Sequence, residues 1–161
     1  MRFWPGLILL LPLLSPLARA ELMDDVNDRG ELRIALEGNL PPYSFEQDGR
    51  LVGYDVELGE LLAQELEVHS SLLVTDSDDL LSGVESGKYD VAINHRAMTP
   101  ERQDRFDFSA PYLESPERAI PFHKGNPAFQ GSLDKALQRL KADGRLAALS
   151  QKWLTDQSSV Q

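Results

Sequence analysis

The sequence predicts an α/β fold, a mainly parallel sheet flanked by helices. Three observations predict it. Leu32-Arg33-Ile34-Ala35-Leu36 alternates like a half-buried strand. Residues 54–66 carry Tyr54, Leu58, Leu61, Leu62 and Leu66 close to one stripe, with acids on the other side, as in an amphipathic helix. Strand-like and helix-like stretches then alternate through Tyr89–Asn94, the pattern of βαβ units.

The elements follow in order. Residues 1–20 are set apart from the fold: Arg2, an apolar run Leu7–Leu14 broken by Pro12, and Ala18-Arg19-Ala20 form the layout of a signal peptide, with Glu21 as the mature start. The run is too short for a bilayer, which needs about 20 apolar residues. After the strand at 32–36, Glu37-Gly38-Asn39 and Pro41-Pro42 mark a loop, and Gln47-Asp48-Gly49 marks a hairpin turn within Phe45–Val52. The helix at 54–66 leads to a short strand Leu72-Leu73-Val74, then a helix Asp78–Ser86 stopped by Ser86-Gly87-Lys88, then the strand Tyr89–Asn94. Residues 103–116 read as irregular. Ala119–Phe122 reads as a strand that Pro121 confines to a sheet edge. Ser132 caps a helix carrying Leu133, Ala136, Leu137 and Leu140, and Gly144 breaks it before Leu146, Leu149 and Trp153. The domain plan is a signal peptide at 1–20, one α/β lobe at 21–155 and a polar tail at 156–161.

Composition narrows the function. The net charge is −10, and residues 1–20 hold two arginines and no acid, so residues 21–161 carry −12. That balance argues against nucleic acid and anionic membranes as partners. With no cysteine, disulfides, zinc-thiolate sites and thiol nucleophiles are excluded. His69, His95 and His123 have no metal-ligand spacing, and neither a nucleophile elbow nor a Gly-rich phosphate loop is present. The sequence therefore points to no cofactor, no metal and no enzyme activity.

In an open parallel sheet, ligands sit beyond the carboxyl ends of the strands. That rim holds Gly38–Tyr43 and Asn94–Arg102. Thr99 is suited to cap a helix with Pro100 at its first position. Arg102 in that first turn presents a planar fork matched to a carboxylate, so Thr99 and Arg102 form a candidate carboxylate cradle. The alternative is an ordinary helix start with Arg102 paired to Asp104 or Asp107. Tyr43 and Phe45 can wall a ligand side chain or ammonium, or instead plug the core. Among Glu37, Asp76, Asp78 and Asp79, one can meet a ligand ammonium, the alternative being a solvated face. His95 sits on the rim as a polar contact.

The motifs, in order, are Gly30-Glu31-Leu32-Arg33-Ile34-Ala35, Pro41-Pro42-Tyr43-Ser44-Phe45, Leu51-Val52-Gly53-Tyr54-Asp55-Val56, Ser86-Gly87-Lys88-Tyr89-Asp90-Val91, Thr99-Pro100-Glu101-Arg102 and Phe106-Asp107-Phe108-Ser109-Ala110-Pro111-Tyr112. Together they resemble the bacterial extracellular solute-binding proteins of family 3, the periplasmic amino-acid-binding components of ABC transporters. Lys124-Gly125-Asn126-Pro127, Ala136-Leu137, Asp143-Gly144 and Lys152-Trp153 resemble that family's closing strand and helix.

The resemblance implies one lobe of a type II periplasmic-binding-protein fold, with Arg102 and Thr99 holding a ligand α-carboxylate and Tyr43 packing on the ligand. It implies a periplasmic location, an amino acid or related small carboxylate as ligand, and an ABC-transporter permease as partner. The sequence departs from the family's pattern in two ways. Pro111-Tyr112 is followed within about a dozen residues by Lys124-Gly125-Asn126-Pro127, so the second lobe, on the order of 100 residues, is missing. Ser77 stands where the family has an aromatic, His95 where it has a glycine and Ala97 where it has a hydroxyl residue, which alters the lobe's ligand site at 77, 95 and 97. The expected function is weak or degenerate solute binding, unless a second copy of the chain supplies the other wall. The alternatives are a non-transport protein-interaction module or relic, and a dehydratase-like enzyme of the same fold.

Overall fold

A computed structural model describes residues 21–94, 99–115 and 118–155. Helix α1 (Leu22–Arg29) leads through Gly30, at φ 67°, into strand β1 (Glu31–Leu36). Strands β2 (Asn39–Leu40), β3 (Ser44–Gln47) and β4 (Arg50–Val52) form a separate three-stranded antiparallel sheet. Its hairpin turns at Asp48 and Gly49, both at positive φ, as a two-residue primed turn requires. Helix α2 (Tyr54–Glu65), strand β5 (His69–Val74), helix α3 (Ser77–Glu85) and strand β6 (Val91–Ala92) follow. One-turn α4 (Pro100–Gln103), strands β7 (Phe106–Phe108) and β8 (Pro121–His123), and helices α5 (Pro127–Ala142) and α6 (Arg145–Leu154) complete the chain.

The main sheet has the order β5-β1-β6-β8-β7. β1 pairs in parallel with β5 and β6, and β8 is antiparallel to both β6 and β7. β8 alone therefore runs against the other four strands, and the sheet is mainly parallel as the sequence predicts. Successive residues of β1 point to opposite faces. Leu32, Ile34 and Leu36 join a core with Leu58 and Leu62 of α2, Leu133, Leu137 and Leu140 of α5, and Leu146 and Leu149 of α6. Ala35 joins a smaller core with Leu80 and Val84 of α3, Ala92, Phe106 and Phe108. The result is a single αβα lobe.

Several expectations are corrected. Strand β5 begins three residues before Leu72, and β6 is shorter than the run Tyr89–Asn94. Residues 106–108 form a strand where irregular chain is expected, because Phe106 and Phe108 are both buried. β8 is internal rather than an edge: Pro121 is its first residue, where a missing N–H is tolerated. Helix α5 starts at Pro127, not after Ser132, and buries Phe129 within its first turn. Helix α1 is absent from the sequence reading. It is short, with Val26 as its one buried residue, so it carries little apolar pattern.

Candidate functional site

The helices that follow β1 and β5 pack on opposite faces of the sheet, α2 with the larger core and α3 with the smaller. Diverging connections of this kind open a crevice at the carboxyl ends of the two strands. Glu37, directly after β1, and Asp76, at the cap of α3, stand at its mouth. Gly38 is needed there: a Cβ would lie 3.0 Å from the Val74 side chain. The Thr75 N–H donates to Leu36 O at 2.9 Å and ties the two strand ends together.

Glu37 is half-buried, and its Oε2 accepts from Asn94 Nδ2 at 2.5 Å, which joins the end of β1 to the end of β6. Burial raises its pKa, the Asn94 hydrogen bond lowers it, and the neighbouring Asp76 raises it again. Asp76 Oδ1 accepts from the Asp79 N–H at 2.9 Å and caps α3. Asp78 and Asp79 are exposed in the first turn of α3, and Ser77 is its first residue.

Thr99 caps α4 as the sequence predicts: its Oγ1 accepts from the Arg102 N–H at 3.3 Å, and Pro100 takes the first helical position. These two features use up first-turn donors, since Pro100 has no N–H and that of Arg102 is on Thr99. The Arg102 side chain itself is half-buried beside this four-residue helix. Asp107 Oδ2 accepts the Gly125 N–H. His95 and Ala97, the other two rim candidates, lie outside the described residues.

Tyr43 turns toward the body of the lobe. Its ring packs partly on the main core, Arg118 lies over it with Cζ 4.8 Å from the centroid, and its hydroxyl accepts from Arg118 Nη2 at 3.0 Å. Phe45 meets Trp153 edge-on at 5.9 Å.

Two buried carboxylates escape the sequence reading. Asp55 is 1% exposed in the first turn of α2, on the core side, against the expectation that the acids of this helix face outward. Burial pushes its pKa up to about 7, opposed by Arg118. Tyr54 is pushed up to about 12, mainly by burial, and burial also raises Tyr112. Asp90 accepts from Arg29 Nη2 at 2.5 Å, from Arg33 Nη2 at 3.0 Å and from the Arg33 N–H at 2.8 Å. A hint in sequence is that each acid sits between a Tyr and a Val, Tyr54-Asp55-Val56 and Tyr89-Asp90-Val91. A cavity of about 490 Å³ opens beside Asp90 at the amino ends of β1 and β6, opposite the candidate rim. Its arginines, Arg29 and Arg33, are already engaged with Asp90.

The Asp55 shift sets a pH dependence. An unfolded aspartate titrates near 4, so between pH about 4 and about 7 the unfolded chain has released a proton that the folded chain keeps. Stability then falls as pH rises through this window, by up to about 1.4 kcal/mol per pH unit from this group, and levels off above it. Arg118 is the charged group that acts on Asp55, and burial raises Tyr54 and Tyr112 away from this range. In urea unfolding between pH 4 and 8, Asp55→Asn should remove this component relative to wild type. Parallel profiles for the two proteins would contradict it.

Among the described residues no cluster of His, Asp and Glu is arranged to hold a metal, and no helix is long and apolar enough to cross a membrane.

Residues 32–156 match the family model described as bacterial extracellular solute-binding proteins, family 3. The chain is similar to the L-cystine-binding protein TcyJ of Escherichia coli (strain K12), 38% identical over 134 residues, which is 83% of this chain and 50% of that protein. It is 28% identical over 114 residues to the cyclohexadienyl dehydratase of Pseudomonas aeruginosa, covering 70% of this chain and 42% of the enzyme. The chain thus spans half or less of the length of these relatives. Among solved structures, the arginine-bound form of domain 1 from TmArgBP superimposes with a TM-score of 0.69 at 27% identity, covering 73% of this chain and 98% of that one. A mainly parallel α/β lobe and a family match over residues 32–156, most of the chain, lead to one conclusion: the chain belongs to the bacterial extracellular solute-binding proteins, family 3.

Proposed function

We propose that the chain is an exported amino-acid-binding module that works as a single lobe. Arg102, supported by Thr99, takes the ligand α-carboxylate. Glu37, with Asp76 beside it, takes the α-ammonium or a cationic side chain. The observation that supports this reading is the carboxylate pair Glu37 and Asp76 after β1 and β5, with Glu37 tied to Asn94 after β6, in the stretch of chain that leads on to Thr99 and Arg102. That arrangement complements a zwitterion. The arginine-bound domain 1 of TmArgBP supports the reading as a one-domain relative. Tyr43 contributes through the loop it anchors, and His95 and Ala97 remain candidate ligand contacts.

One lobe covers about half of a ligand, against the 70–90% buried in well-formed pockets, so affinity is weak. In isothermal titration of residues 21–161 after refolding, an amino acid should give heat that falls about 10- to 100-fold in affinity for Arg102→Ala. That matches roughly 1.5–3 kcal/mol for hydrogen bonds to a charged group. Glu37→Gln should weaken cationic amino acids more than neutral ones. No heat from any amino acid would overturn the proposal and favour a protein-interaction module or relic.

Export through cleavage after Ala20, and a periplasmic ABC-transporter permease as partner, belong to the same reading. Glu21, the expected mature start, is engaged in the fold: its Oε1 accepts the Phe129 N–H at 2.9 Å. A homodimer across the rim would supply the missing wall. The dehydratase relative keeps one enzymatic alternative, which turnover of prephenate or arogenate by the purified chain would establish.

A further inference from the structure

Between β7 and β8 the described residues 109–115 and 118–120 run back alongside each other. They continue the strand pairing: the Ser109 N–H donates to Ile120 O, the Ile120 N–H donates to Ser109 Oγ, and the Tyr112 N–H donates to Arg118 O at 2.9 Å. Helix α5 holds its outer side through Asp134, which accepts the Ala110 N–H, and Lys141, which donates to Pro111 O. Arg118 therefore projects from a fixed backbone.

Its guanidinium has two sides. Nη2 donates to the Tyr43 hydroxyl and the plane covers the Tyr43 ring. Nη1 is buried and has no hydrogen-bond partner, like both oxygens of Asp55 and the hydroxyl of Tyr112. Asp55 and Arg118 act on one another electrostatically in this low-dielectric setting without a direct hydrogen bond. Asp55 is itself tied to the same loop, its N–H donating to Tyr43 O at 2.8 Å, while the Tyr54 N–H donates to Pro42 O at 3.0 Å.

We propose that Arg118 is a positioning residue for the ligand rim: stacked on the Tyr43 ring and attracted to the buried Asp55 carboxylate, it fastens the return segment, residues 109–115 and 118–120, to the Pro41-Pro42-Tyr43 loop. That loop begins at Glu37, so the latch fixes the far end of the segment that presents the ammonium-binding carboxylate. The effect on affinity rests on the amino-acid-binding reading above; the latch itself does not. The role needs arginine. A planar fork can stack on a ring, donate from one arm and face a carboxylate with the other, whereas a lysine head offers neither the plane nor two divergent arms.

The test is amide hydrogen exchange of the folded chain at pH 8, where Asp55 carries its charge, with amino-acid affinity measured in parallel. In Arg118→Lys and Arg118→Met, the amides of Tyr43, Tyr54 and Asp55 should exchange at least tenfold faster, while that of Ile93, which donates to Ala35 O of the central strand β1, keeps its wild-type rate. Asp55→Asn should act in the same direction, and combining it with Arg118→Met should add little, because the pair works as a unit. Affinity should fall several-fold in each variant. Wild-type exchange at 43–55 in Arg118→Lys, or full additivity in the double variant, would overturn the latch. Should Arg118→Met fail to fold, the Lys and Asn variants decide it. Should the wild type bind no amino acid, the amino-acid-binding reading fails, and the exchange rates still decide the latch.

Discussion

Asp90→Ala should cost about 3 kcal/mol or more, a large share of the roughly 5–15 kcal/mol that stabilises a domain. The Asp90 side chain is fully buried and faces two arginines whose side chains are 34% and 28% exposed. Its carboxylate also satisfies the Arg33 backbone N–H inside β1. Removing it leaves two cations without their counter-charge and one strand donor unpaired, the case in which breaking a buried pair is most damaging. The partial exposure of the arginines keeps the loss toward the lower end. Asp90→Asn, which retains the shape and one acceptor, should cost less than Asp90→Ala. Urea unfolding midpoints at pH 7 measure both, and a loss below about 1 kcal/mol for Asp90→Ala would show that the pair is not structural.

Gly53→Ala should be comparably severe for a different reason. A Cβ at this position would lie 2.2 Å from Tyr43 O and 2.9 Å from Pro42 O, both backbone atoms that cannot rotate away. The residue also sits at φ 131°, which strains any side chain. Relief requires the 41–43 loop and the start of α2 to separate, which breaks the hydrogen bonds from Tyr54 N–H and Asp55 N–H to that loop. Strain of about 1–3 kcal/mol and two lost hydrogen bonds of about 1 kcal/mol each give an expected loss near 3–5 kcal/mol. Gly131→Ala is the control: it lies inside α5 with nothing within 4 Å of the added methyl, and should stabilise the chain by up to about 1 kcal/mol. Thermal melts of the two variants should move in opposite directions.

The parts of the fold legible in the sequence are those set by local periodicity and turn chemistry. The β1 alternation, the Asp48-Gly49 hairpin, the α2 stripe and the Thr99-Pro100 cap all depend on neighbours a few residues away. What escapes the sequence depends on distant partners. Phe106-Asp107-Phe108 becomes a strand because β8 pairs with it across the return segment. Asp90 is buried because Arg29 and Arg33, about 60 positions earlier, reach it. Asp55 sits on the core side of α2 because Arg118 and the Tyr43 loop close over it. A charged residue reads as solvent-facing until its partner is known. Within the candidate site, the Thr99-Pro100 helix start is legible as a motif, whereas the Glu37–Asn94 tie needs the adjacency of β1 and β6.

We propose that an amino acid binds at the carboxyl rim of this single sheet. The most direct measurement is a titration of the ¹⁵N-labelled chain with arginine and with cystine, followed amide by amide. Saturable shifts concentrated at Gly38, Asp76, Asn94 and Arg102, and absent in Arg102→Ala, are the predicted result. Shifts confined to residues around the cavity beside Asp90, or no shift with any amino acid, would contradict it.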